Sequence, residues 1–392
     1  MWKLGYGSMA HLSSQFKKVT VLNPGQIKKL STSHWIISKC MKSLTLFLIL
    51  LTAIVFISCK NKMSLQSSDT VLAPGQMPNI AKDNAGKLHV VYGTGDSIMY
   101  SFSSDHGKTF SKPQLISALP QLAASHTRGP QVAATRNGLI VTACTNSGNI
   151  FSYQMNGSGN WSAAARVNDI DTVAKENLMS LSADGENVFA VWLDLRDKHN
   201  KIFGARSVDG GRTWNKNTMI YASPDTTVCE CCKPSVVIKE NIVYVMFRNW
   251  LNGNRDLYLI QSSNGGESFG EAQKLGKGSW ALKGCPMDGG TIVVNNKSKA
   301  QTVWNRKGII YSCEPGKEEK KLGQGKSCTM ETVNGKNVYS WVENGDVVVL
   351  KPQGIKKVLG KGSLPVLKQV NNEHVLCVWE KNKEIHKAVL EL

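Results

Sequence analysis

The chain is poor in the features that would seat it in a membrane or build it from helices. Among its 392 residues one long apolar run stands out, Leu44 to Ile57, and its 14 residues are too short for an ordinary membrane span. Amphipathic stretches of 3.6-residue period are missing after it, which excludes a helical bundle or coiled coil. The eight histidines include no His-x-x-x-His pair, so a helix-borne metal motif is absent. Acidic residues are scarce: 29 Asp and Glu face 47 Lys and Arg, a net charge of +18. No nucleic-acid-binding module accompanies that charge, and nucleic acid is set aside as a partner. The basic excess reads either as a solvated surface or as attraction to anionic glycans and other acidic ligands.

Residues 1–59 differ from the rest, holding seven Lys and no Arg, Asp or Glu. Met41-Lys42-Ser43, the apolar run and then Ser58-Cys59 form a secretory signal: basic start, short apolar stretch, small residue before the cut. Phe56-Ile57-Ser58-Cys59 is similar to a bacterial lipobox, with Phe where Leu is usual. The expectation is an exported bacterial lipoprotein, held at the membrane by a lipid on Cys59, with an ordinary signal peptide or an uncleaved anchor as the alternatives. Residues 1–40 read as a non-native extension, 41–59 as the signal, 60–68 as a linker and 69–392 as one domain. A monomer is expected.

That domain is repetitive, and the repeat must be read before any local assignment. Short second strands align at Leu88–Tyr92, Leu139–Cys144, Val188–Trp192, Ile242–Phe247, Ala300–Trp304, Val338–Trp341 and Val375–Trp379. First strands begin near Asn79, Gln131, Met179, Ser235, Thr291, Thr329 and Val366. Even spacing of many short strands predicts an all-β propeller of four-stranded blades, seven by this count. The last unit supplies three strands, so Thr70-Val71-Leu72-Ala73 is expected to add the fourth and close the ring.

Three octapeptides mark hairpin turns: Ser103 to Phe110, Ser207 to Trp214 and Ser262 to Phe269. The first two read S-x-D-x-G-x-T-aromatic, and the third carries Asn264 and Ser268 in place of Asp and Thr. Asp or Asn caps its own backbone, Gly supplies positive φ, and the aromatic packs beneath. These turns resemble the Asp-box (BNR) turns of the sialidase superfamily, which is built on propellers, usually of six blades. The resemblance implies the fold strongly and the activity weakly. The segments Val228–Pro234, Arg248–Asp256 and Gly284–Gly290 are similar to those of a sub-group of exported bacterial sialidase-like proteins.

In a four-stranded meander, first-strand starts and second-strand ends share one face, and Asp-box turns lie on the other. The chemistry-bearing residues cluster at the former. Arg128, Arg196 and Arg248 come from three successive blades, with Arg255 nearby, and forked guanidinium groups suit a planar carboxylate. Arg128-Gly129-Pro130 resembles the family's Arg-Ile-Pro, and the resemblance implies that such arginines hold a sialic-acid carboxylate; the alternative is that they pair with Asp194, Asp197 and Asp256 to hold loops. Glycoside cleavage needs an acid and a base or nucleophile, and Asp194, Asp288 and Glu230 are the candidates, with Glu343 behind them. The tyrosine nucleophile of sialidases has no counterpart at a mouth position. Trp250 and Trp280 lie in mouth loops, where they either stack on a sugar or anchor the loop.

Cys229-Glu230-Cys231-Cys232 is the rarest run. Eight cysteines follow Cys59 in an exported chain, which suggests two disulfides, with Cys285 as partner to one of the three. The alternative is a thiolate metal site of Cys229, Cys231, Cys232 and Cys285 for zinc or copper(I). No cofactor is expected. Three functions remain open: a sialidase-like glycosidase on an anionic glycan, a non-catalytic glycan- or protein-binding propeller, and a cysteine-dependent metal or redox protein.

Overall fold

The computed structural model describes residues 69–295 and 297–392. The expected signal, lipidation at Cys59, extension and linker lie outside these residues. Within them are 28 strands, β1 to β28 in chain order, and no helix. They form seven antiparallel sheets of four strands each. The sequence pattern dictates this: each second strand is apolar on both faces, so neighbouring blades must cover it. Trp192, Trp304, Trp341 and Trp379, at or near the ends of such strands, are fully buried. The core runs as clusters between adjacent blades; Val191 of the third blade, for example, shares one with Val245 of the fourth.

The innermost strands are β2 (Gln76–Lys82), β6 (Gln131–Ala134), β10 (Met179–Asp184), β14 (Ser235–Lys239), β18 (Gly290–Val294), β22 (Lys326–Val333) and β26 (Ser363–Gln369). The seventh blade is completed from the opposite end of the chain. There β1 (Thr70–Pro74) pairs antiparallel with β28 (Glu384–Glu391), Thr70 opposite Lys387 and Pro74 opposite Glu384. Seven blades and closure by the early strand agree with the sequence reading.

Three first strands start earlier than the sequence pattern suggests. β2, β22 and β26 each open with a register shift. At the shift Met77, Ser327 and Leu364 have φ of 57°, 54° and 53°. The preceding glycines explain the geometry. A Cβ on Gly75, Gly325 or Gly362 would come within 2.5 Å of Tyr92, Trp341 or Trp379, the aromatic near the end of the same blade's second strand. The bulge turns a non-glycine side chain toward the channel and breaks the alternation from which strand starts are read.

The three octapeptide turns share one geometry. Ser103, Ser207 and Ser262 each donate from Oγ to the side-chain oxygen of Asp105, Asp209 or Asn264 at 2.7 Å. The same serine oxygens accept the backbone N–H of Gly107, Gly211 and Gly266 at 2.8 Å. Each turn also latches to the preceding blade: Gly211 sits on Ile140, Gly266 on Phe189, and the Trp214 indole donates to Ser152 at 2.9 Å.

Candidate functional site

All seven first strands, or the loops that lead into them, meet at one end of the channel in a cavity of about 230 Å³. Side chains stitch this mouth from blade to blade. Asn79 accepts from the backbone of Val132 at 3.0 Å, Ser180 donates to the Pro234 carbonyl at 2.6 Å, and Ser235 donates to the Gly290 carbonyl at 2.5 Å. The rim is therefore rigid and rich in hydroxyl and amide groups.

Three titratable residues line it, Lys233, Asp288 and the Cys328 thiol, and the first two carry charge. Lys233, from the loop before β14, reaches across to the Gln131 amide oxygen at 3.2 Å. Burial alone pushes its ammonium down to about 8. Asp288, before β18, is 7 % exposed and accepts the Ser327 N–H at 2.9 Å. Burial pushes its carboxyl up to about 6, against the Ser327 hydrogen bond and the Arg248 charge. Asp288 is the sole carboxyl among the residues lining the cavity.

The arginines proposed from the sequence do not converge on an open carboxylate site. Arg248 is 1 % exposed, and its guanidinium is filled by backbone carbonyls of Asp288, Arg255 and Asn305 at 2.7–3.2 Å. Arg196 forks onto Asp194 at 2.9 and 3.0 Å, reaches Asp169 at 3.2 Å and lies over the Phe203 ring. Asp194 is correspondingly unsuited to proton transfer: it is fully buried and also takes the Trp192 indole N–H at 2.8 Å. Both residues hold the end of a strand. Arg255 covers Trp250, and Arg248 lies over Trp280, so neither tryptophan offers that face to a sugar. Glu343 pairs with Lys356 at 2.7 Å.

Arg128 alone of the three arginines stays on the rim, its side chain 22 % exposed. Its Nε donates to the Glu176 carbonyl at 2.7 Å, and its Nη2 stands 3.8 Å from the Glu176 carboxylate. Glu176 escaped the sequence reading. It sits in the loop before β10, far in sequence from both Arg128 and Glu230, in no motif. Burial raises its pKa, Arg128 opposes that, and the nearby Glu230 charge adds to it. The structure thus brings together Arg128, Glu176 and the exposed Glu230, a pairing that no local signal announces.

Beside the mouth, Cys231 is disulfide-bonded to Cys285. This is the one bridge among the described residues, where two were expected; Cys144, Cys229, Cys232, Cys313, Cys328 and Cys377 are free and buried. The sulfurs of Cys229 and Cys232 lie 3.5 Å apart, and those of Cys231 lie 3.8 and 4.0 Å from them. The contact with the Cys232 sulfur, with Arg255 and Arg248 nearby, holds the Cys229 thiol down at about 6 against the cost of burial. Burial and the Cys229 sulfur push Cys232 well up.

Comparison with known proteins places this ring among propellers. Over 82% of the chain it is similar to a lectin of Burkholderia pseudomallei, covering 97% of that protein at TM-score 0.59 and 9% identity. An α-L-arabinofuranosidase of Fusarium graminearum matches 83% of the chain and 98% of its own length at TM-score 0.49 and 12% identity. A sialidase of Streptococcus pneumoniae matches 84% of the chain and 70% of its own length at TM-score 0.45 and 13% identity. At these identities the likeness is one of fold. No family model matches the sequence, and no curated protein does.

Proposed function

We propose that the protein is a glycan-binding propeller of the bacterial cell envelope, and that an anionic sugar enters the channel mouth with its carboxylate on Lys233. One observation carries the reading. Lys233 places its ammonium in the channel mouth, and its hydrogen-bond partner there is the neutral Gln131 amide. A partly desolvated ammonium that forms no ion pair favours an anionic partner, and a ligand carboxylate would supply one through charge-assisted hydrogen bonds. The surrounding Ser180, Ser235 and Thr291 hydroxyl oxygens are able to accept from sugar hydroxyls, and the Asn79 amide nitrogen to donate to them. The similarity in fold to a lectin is in keeping with binding rather than turnover.

The test is calorimetric titration of the protein with sialylated, uronic-acid and neutral oligosaccharides. Acidic sugars are expected to bind, and Lys233→Met to weaken them roughly 10- to 100-fold, the worth of one charged hydrogen bond. Equal binding of neutral and acidic sugars, unchanged by Lys233→Met, would refute the assignment.

A second reading is hydrolysis of the same class of glycan. It is favoured by the half-buried Glu176, whose raised pKa suits a general acid, beside Glu230 as the second carboxylate and Arg128 as the anion holder. Release of fluorophore from a fluorogenic sialoside, abolished in Glu176→Gln, would establish it. Absence of release from pH 4 to 8 leaves the binding reading alone.

A further inference from the structure

The three cysteines of the Cys-x-Cys-Cys run are arranged as ligands. A tetrahedral ion with metal–sulfur bonds of about 2.3 Å spaces its sulfurs about 3.8 Å apart, and a trigonal one about 4.0 Å. The three separations here are 3.5, 3.8 and 4.0 Å. Cys229 and Cys232 are 0% and 2% exposed, so an ion among them would be shielded from water. Sulfur-only ligation selects soft d¹⁰ ions over magnesium, calcium or manganese.

A second, independent observation is the charge around the sulfurs. Arg255 donates to the Cys229 sulfur at 3.0 Å. Arg248 is buried alongside, bonded only to carbonyls. Neither guanidinium forms an ion pair with a carboxylate, unlike Arg128, Arg166, Arg196, Arg206 and Arg306. Buried cations require an anionic counterpart. The two guanidinium charges, Arg248 acting also on the buried Asp288 carboxyl, lower the cost of gathering thiolates here, and a monovalent ion suits a site that already holds positive charge.

We propose that Cys229, Cys231 and Cys232 form a trithiolate site for copper(I), closed while Cys231 is bonded to Cys285 and opened when a thiol reduces that bond. The opening step is Cys231–S–S–Cys285 plus two R–SH giving two cysteine thiols and R–S–S–R. One S–S bond breaks and one forms, and the two thiol hydrogens pass to the protein sulfurs. Cys285 is exposed and gives the reductant access. Copper(I) then binds as three thiols release three protons; the metal itself changes no oxidation state.

The full chain, pre-reduced with glutathione and freed of it under nitrogen, is titrated with copper(I) held by bathocuproine disulfonate. One ion per chain is expected to leave the chelator, with none taken by the unreduced protein. Cys285→Ser, at an exposed position, is expected to bind one ion without any reduction. Cys229→Ser is expected to bind roughly 100-fold more weakly or not at all. The proposal is overturned if the reduced chain leaves all copper on the chelator, if Cys285→Ser takes no more than the unreduced protein, or if Cys229→Ser holds the ion as tightly as the parent. Preference for zinc over copper(I), lost in Cys285→Ser, would also overturn it in favour of a four-sulfur zinc site.

Discussion

Asp105 shows how much structure one side chain can hold near the surface. Its carboxylate accepts the Thr109 hydroxyl and N–H as well as the Ser103 hydroxyl. The Thr109 hydroxyl is the largest influence holding its pKa well below the usual carboxylate range, followed by the Thr109 N–H and Ser103. A pKa depressed by folding contributes stability that is complete above the unfolded value and is lost as pH falls toward the folded one. Asp105→Ala should therefore cost about 1–2 kcal/mol at pH 7, from lost hydrogen bonds at a turn. Urea denaturation of parent and variant at pH 7 and pH 3 is the check, with the difference expected to shrink at the lower pH. The third turn, with Asn264 and Ser268, keeps the hydrogen bonds but not the charge, so acid should weaken it less.

At the scale of elements, Arg248 is a clamp. It stands at the end of β15 (Ile242–Arg248) and binds carbonyls of the loop that follows, of the loop before β18, and of Asn305 near the end of β19 (Ala300–Arg306). Arg248→Lys keeps the charge but loses the planar fork. It should cost about 2–3 kcal/mol in chemical denaturation, and it should loosen the 284–290 loop, seen as faster amide hydrogen exchange there.

The sequence showed that this arginine stands at a strand end facing the mouth. It did not show that three carbonyls fill the guanidinium, because two of them come from the next blade, 40 and 57 residues away. For the same reason the role of Asp194 was hidden, since its ligands Trp192 and Arg196 look like ordinary strand and loop residues. The blades were legible because apolar second strands recur and often end in tryptophan. The starts of β2, β22 and β26 were not, because a residue with positive φ interrupts alternation there. Glu176 carried no signal at all: its significance arises from Arg128 and Glu230, which reach it only once the ring is formed.

For the whole molecule, closure is the decisive feature. The β1 segment supplies the outer strand of the seventh blade and buries Ala73. Deleting residues 70–74 would leave β28 as a bare edge with unpaired backbone groups. The deletion should cost about 3 kcal/mol or more through lost ladder hydrogen bonds and apolar burial. It should also produce aggregate in size-exclusion chromatography, whereas deletion of an equal length from an exposed loop should not.

The two partners in that seam are more than 300 residues apart, Thr70 reaching Lys387 across a separation of 317. A ribosome releases the early strand long before its mate exists. Six blades are able to assemble in turn while Thr70–Pro74 waits unpaired, and the seam is sewn only after Glu384–Glu391 emerges. During that interval the cell must shield a short β-prone segment at the front of the chain, and a protein truncated anywhere near its C-terminus would never escape that state.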